Sequence, residues 1–160
     1  MVFTIEKINQ HDQAFIAEIM QENWGDETVV AHGELFHPTS LDGIKAVMEG
    51  KIVGFLHYRA RGDEWEILTL ISLQQDQGIG SALVEKVESI ARENQCKQIS
   101  LVTTNDNLNA LGFYQRRGFH LAALFPNQIA VSRKLKPAIP EIGDNNILIR
   151  DEIKLEKDLS

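Results

Sequence analysis

QQDQGIGSALV, running from Gln74 to Val84, joins two patterns that differ in kind. Before it, EWEILTLISL at 64–73 is an apolar, β-branched run that reads as a strand. After it, Ile79, Leu83, Val87, Ile90 and Ala91 recur at helical spacing, which predicts a helix over 79–95. Gly78 and Gly80 therefore stand between a strand end and a helix start. Such a turn has two readings. Glycine serves a tight turn for backbone reasons alone. It also keeps side chains away from a helix N-terminus, whose unpaired amides and positive dipole end suit a phosphate. Two nucleotide-binding fingerprints do not fit. The dinucleotide motif needs a third glycine where Leu83 stands. The Walker motif needs Gly-Lys-Ser/Thr where the chain has Gly80-Ser81-Ala82.

Outward from this turn the chain alternates strands and helices. Toward the N-terminus, residues 2–5 read as a short strand, and Asp12 is the expected cap of a helix over 13–23. Phe15, Ile16, Ile19 and Met20 share one face of that helix. Residues 24–41 lack periodicity and read as a short helix and a loop, the variable region of the chain. Two strands then flank the hairpin turn Glu49-Gly50-Lys51. Beyond the glycine turn, 98–104 is a buried strand, a short helix stops at Gly118 as a left-handed cap, and FHLAALF is a strand. Residues 127–136 read as a helix that Pro137 and Pro140 end, and a strand with Ile149, Ile153 and Leu155 in alternation closes the chain. The order predicts one α/β domain over 1–160, with a central mixed, mostly antiparallel sheet flanked by helices.

The bulk composition narrows the function. With 160 residues, 43% hydrophobic and 24% charged, the chain is long and apolar enough for one core. A formal net charge of −7 argues against a nucleic-acid partner, which needs a basic surface. The one cysteine, Cys96, forms no internal disulfide and reads as a buried thiol. No run of 18 apolar residues and no secretory leader are visible, so a cytoplasmic protein away from the membrane is expected. No histidine, cysteine or acid triplet has ligand spacing, so no metal is expected.

A second stretch bears on the glycine turn. Gln75-Asp76-Gln77-Gly78-Ile79-Gly80 resembles the Q/R-x-x-G-x-G/A signature of the GNAT superfamily of N-acetyltransferases. Asn107-x-x-Ala110-x-x-x-Tyr114-x-x-x-Gly118-Phe119 is similar to that family's second motif, N-x-x-A-x-x-x-Y-x-x-x-G-F. The order of strands and helices also resembles the family's, over nearly the whole chain. The resemblance implies a sheet splayed at an acyl-CoA cleft, with acetyl-CoA as co-substrate and an amine as acceptor. It implies that Gln75, Asp76, Gln77, Gly78, Ile79, Gly80 and Ser81 cradle the pyrophosphate, and that backbone at Ile71, Ser72 and Leu73 bonds to pantetheine. The loop before the glycines is shorter than the family's and lacks its common proline. Asn107 and Ala110 fall where the family holds the pantetheine arm, and Asn107 also reads as a helix cap. Tyr114 matches the tyrosine that donates a proton to the departing thiolate; on spacing alone it is an aromatic packed beside Phe113.

A base must deprotonate an ammonium acceptor, and Glu66 resembles the strand glutamate that some members use. Its plainer reading is a surface carboxylate, and a water chain serves other members. His57 reads as a hydrogen-bonded strand histidine or a cleft residue. His32 and His37, with Trp24, Asp26, Glu27 and Glu34, lie where the family builds its acceptor pocket. Homodimers are common in the family, and the C-terminal strand or residues 127–140 are candidate contacts. The expected activity is acetyl transfer to a primary amine of a small molecule or peptide by direct attack in a ternary complex. The alternative is a non-catalytic acyl-CoA sensor or interaction module with the same fold.

Overall fold

The computed structural model describes residues 2–160. In chain order the elements are β1 (Thr4–Lys7), α1 (Gln13–Trp24), β2 (Val29–Ala31), β3 (Glu34–Phe36), β4 (Asp42–Met48), β5 (Lys51–Arg59) and β6 (Glu64–Ser72). They continue as α2 (Ile79–Glu93), β7 (Gln98–Thr104), α3 (Leu108–Arg116), β8 (His120–Phe125), α4 (Gln128–Leu135) and β9 (Glu152–Asp158). The architecture is mixed α/β, with a mostly antiparallel sheet flanked by helices.

Two compact units divide the chain: residues up to 15, 38–99 and 158–160, and residues 16–37 and 100–157. The first holds strands in the order β1-β4-β5-β6, each pair antiparallel. Central β5 is buried without a break from Val53 to Tyr58, as a strand covered on both faces should be. The β4–β5 turn places Glu49 and Gly50 at φ 53° and 76°. Two left-handed residues match the twist of a two-residue hairpin, and glycine takes the second at no steric cost. α2 packs on these strands through Ile79, Leu83, Val84, Val87 and Ala91, each at most 1% exposed. Gly54 of β5 permits this approach. A Cβ there would lie 2.6 Å from Ile79 Cγ2 and 2.9 Å from the Ile71 carbonyl oxygen.

In the second unit the order is β7-β9-β8, where β7 enters from the first unit and β8 and β9 are antiparallel. α3 packs on β8, and α4 packs on the separate β2–β3 hairpin. α3 ends as a Schellman motif: the Phe119 N–H donates to the Tyr114 carbonyl and the Gly118 N–H to the Gln115 carbonyl, with Gly118 at φ 92°. The expected left-handed stop at Gly118 is therefore present.

Three local expectations change. The first strand is Thr4–Lys7 rather than 2–5, because Thr4, Ile5, Glu6 and Lys7 are the residues that pair with β4. The helix region opens earlier than Asp12. Asn9 caps a 3-10 turn over Gln10–Asp12 that leads into α1, and Asp12 is the reciprocal member of the capping box. The Asp12 carboxylate also meets buried Lys45 Nζ at 2.7 Å. Residues 24–41 hold a short helix, a 3-10 turn over Pro38–Ser40, but also a hairpin in place of the expected loop. His32 and Gly33, at φ 42° and 78°, form a two-residue turn between β2 and β3. On α1, Ile16 and Met20 are buried, whereas Phe15 is 40% exposed.

Candidate functional site

The glycine turn begins where β6 ends. Ile71 is buried opposite Phe55, and the Leu73 N–H still reaches the Val53 carbonyl at 2.8 Å, so strand pairing continues one residue beyond β6. The Ser72 hydroxyl donates to the Gln74 carbonyl at 2.8 Å and turns the chain. Residues 72–78 are exposed, and Asp76 and Gly78 both take left-handed backbone, at φ 60° and 72°. Gly78 is the N-cap of α2 and supplies no side-chain cap. The Ala82 N–H donates to the Gly78 carbonyl at 3.0 Å and closes the first turn of α2. No acidic residue occupies the first turn. A Cβ on Gly78 would meet nothing within 4 Å. The result is a helix mouth whose N-cap carries no side chain, at the positive end of a 15-residue dipole. Ile79 anchors it, at 1% exposure.

The second motif belongs to the other unit. Three consecutive residues each fix a neighbouring segment. Asn105 Oδ1 accepts from the Arg150 and Asp151 amides, at 3.0 Å each. Buried Asp106 accepts from the Thr104 hydroxyl and, at 2.9 Å, from the Asp144 amide. Asn107 Oδ1 accepts from the Ala110 N–H at 3.1 Å and caps α3, so its capping role is real. Asn105 and Asp106 escaped sequence reading because their partners lie about forty residues away.

Tyr114 is 5% exposed, on α3. Its ring meets Phe113 and Phe119 edge-on, with centroids 5.0 and 5.2 Å away. The packing reading of this tyrosine is thus realised, whatever else it does. Burial pushes its phenol well above the usual range, and the Arg117 charge acts in the opposite direction. The phenol therefore stays protonated at every physiological pH and remains a proton donor.

Glu66 is buried in β6, with Oε1 3.0 Å from Arg59 Nη2 on the paired strand. His57 is 2% exposed, and its Nδ1 and its backbone N–H both reach Thr69 Oγ1, at 2.7 and 2.8 Å. This is a structural histidine, the first of its two expected readings. Burial lowers its pKa from 6.5 to about 4. The unfolded chain therefore takes up a proton between those values that the fold rejects. The stability involved is fully present above pH 6.5 and is lost progressively as the pH falls toward 4; a shift of this size is worth about 3 kcal/mol. Urea midpoints at pH 7 and 4.5 should show this loss in the native protein, with a shallower loss in His57→Gln. Equal losses in both proteins would assign the acid sensitivity elsewhere.

Among the acceptor-segment residues, Asp26 is already matched. Its Oδ1 lies 3.2 Å from Nζ of buried Lys136, which also donates to the Thr28 carbonyl at 2.7 Å. The His32 backbone N–H donates to both oxygens of buried Glu152, at 3.0 and 3.2 Å. Trp24, Glu27 and His37 are exposed. Cys96 is buried, and its thiol reaches the Asp63 and Gln98 carbonyls, as a structural thiol would. Among the described residues, no cluster of three histidines, cysteines or acids could hold a metal, and no helix is long and apolar enough to cross a membrane.

A glycine turn at the start of α2 on a mostly antiparallel α/β scaffold, with the second motif on α3, fits an acyl-CoA-dependent class of acetyltransferases. The chain belongs to the Acetyltransferase (GNAT) family, whose model matches residues 7–119. It is 42% identical over 150 residues to uncharacterized protein YdhI of Bacillus subtilis, covering 93% of this chain and 94% of that one. It is 43% identical over 145 residues to uncharacterized protein YxbD of the same organism, covering 90% and 91%. The fold is shared with a GNAT family acetyltransferase from Elizabethkingia anophelis solved with acetyl-CoA bound. That structure gives a TM-score of 0.73 at 20% identity, covering 98% of this chain and 97% of that one.

Proposed function

We propose that the protein transfers an acetyl group from acetyl-CoA to a primary amine of a small molecule or peptide by direct attack in a ternary complex. The observation that carries this reading is the mouth of α2. There left-handed Gly78, which has no side chain of its own, is the N-cap of the helix, in a chain of the GNAT family. The acetyl-CoA bound to the Elizabethkingia relative supports the same co-substrate here.

In this reading the loop from Gln75 to Ser81 takes the pyrophosphate, with its backbone amides as donors. Backbone at Ile71, Ser72 and Leu73 holds pantetheine, assisted by Asn107 and Ala110. An amine acceptor of pKa about 10 arrives protonated at neutral pH, so a proton must leave before attack. Glu66 receives it, directly or through water. The amine nitrogen then bonds to the thioester carbonyl carbon, the C–S bond breaks, and Tyr114 gives its phenolic proton to the sulfur. Solvent exchange returns the proton from Glu66 to Tyr114, so the net products are an amide and the free thiol. The chemistry needs a permanently protonated donor, and burial of Tyr114 supplies one. Because acetyl-CoA is a cytoplasmic metabolite, this reading places the reaction in the cytoplasm.

The test is release of the coenzyme A thiol from acetyl-CoA over a panel of amino acids, polyamines, aminoglycosides and peptide N-termini. At least one amine class is expected to accelerate release. Tight acetyl-CoA binding with no acceleration by any class would overturn catalysis in favour of a sensor.

A further inference from the structure

Around Tyr114 the second unit builds a closed circuit of contacts. The Arg117 guanidinium lies over the Phe113 ring, 3.5 Å from its centroid, and its Nη1 donates to the Phe113 carbonyl at 2.8 Å. Phe113 meets Tyr114 edge-on, and Tyr114 meets Phe119 in the same way. Lys157 Nζ lies 5.8 Å from the Phe119 centroid and donates to the Arg117 carbonyl at 2.8 Å, which closes the circuit. The Arg117 N–H also donates to the Tyr114 carbonyl at 3.0 Å. Both aromatic neighbours of the tyrosine thus carry a cation, and the two cations are tied to each other through one backbone carbonyl.

We propose that Arg117 is a positioning residue for Tyr114, acting through Phe113 to hold the phenol for proton donation to the leaving thiolate. This inference rests on Tyr114 being the donor. Arg117 stacks on the Phe113 ring and also bonds the backbone carbonyl of the same residue, which restrains that ring beside the phenol. A cation also opposes the effect of burial, which otherwise makes the phenol a weaker acid. A positive charge near a group that becomes a transient phenolate favours the transition state more than the ground state, so the benefit should appear in kcat.

The experiment compares Arg117→Gln, Arg117→Lys, Tyr114→Phe and the double variant Tyr114→Phe/Arg117→Gln, using the fastest amine from the panel. Arg117→Gln is expected to lower kcat roughly tenfold with KM for acetyl-CoA within about twofold, the signature of lost transition-state stabilisation. Arg117→Lys, which keeps the cation, should retain most of the activity. In the Tyr114→Phe background, Arg117→Gln should cost nothing further, because the two side chains act as one unit. Thermal melting checks folding, and Arg117→Met, which keeps the apolar stem across Phe113, carries the comparison if the Gln variant does not fold. Unchanged kcat in Tyr114→Phe would remove the donor and this inference with it. A strong loss in Tyr114→Phe, with Arg117→Gln either harmless or equally harmful in both backgrounds, would overturn the inference alone.

Discussion

Gly78→Asp is expected to abolish measurable acetyl-CoA binding in calorimetric titration while leaving the protein folded. The two halves of this expectation come from different features of one position. A new Cβ meets nothing within 4 Å, so packing is undisturbed. The left-handed backbone at φ 72° costs a side chain about 1 kcal/mol, and aspartate is among the residues that tolerate it best. The charge acts differently. It sits at the helix mouth, where the dipole and amides would otherwise face a diphosphate. A carboxylate about 4 Å from a phosphate oxygen, at an effective dielectric of 20, costs about 4 kcal/mol. That is roughly a thousandfold in affinity. Gly78→Asn separates charge from shape, and should bind more weakly than the native protein but far better than the aspartate variant. If Gly78→Asp binds like the native protein, the pyrophosphate does not lie at this turn.

Tyr114→Phe removes one oxygen from a side chain held between two aromatic rings. The rings remain in place, so acetyl-CoA affinity and the melting temperature should change little. Loss of a positioned general acid typically costs about 10²–10⁴ in rate. The expected result is a fall of that order in kcat with nearly constant KM for acetyl-CoA. Burial holds the phenol's pKa above its usual range, so the native enzyme should show no loss of rate below about pH 10 from Tyr114 ionisation. A variant that turns over as fast as the native protein would leave Tyr114 a packing residue only.

Several features were legible in the sequence because the interactions that make them are local. The α2 face from Ile79 to Ala91 follows from helical period, and all but Ile90 of the expected residues are buried there. The Gly118 stop needs only bonds to Tyr114 and Gln115, a few residues back. The glycine turn announces itself by its place between a strand and a helix. The same local logic applies at two places where the structure departs from the expected elements. His32-Gly33 between two short apolar runs is a two-residue hairpin signal, and Asn9 three residues before Asp12 is a capping pair.

Other features depend on partners far along the chain. Glu152 is held under the hairpin turn by the His32 amide, 120 residues away, and Lys136 is buried against Thr28 across 108 residues. His57 is structural because strand register sets it opposite Thr69, which no composition or spacing foretells. Glu66 faces Arg59 for the same reason. The two motifs are legible in the chain alone, since helix period, turn glycines and caps are properties of a few consecutive residues, and they carry the resemblance that the family match confirms. Tertiary structure alone decided which polar side chains are already bound internally. That depends on which distant segments share a buried environment, where each polar group must find a partner or leave its desolvation uncompensated.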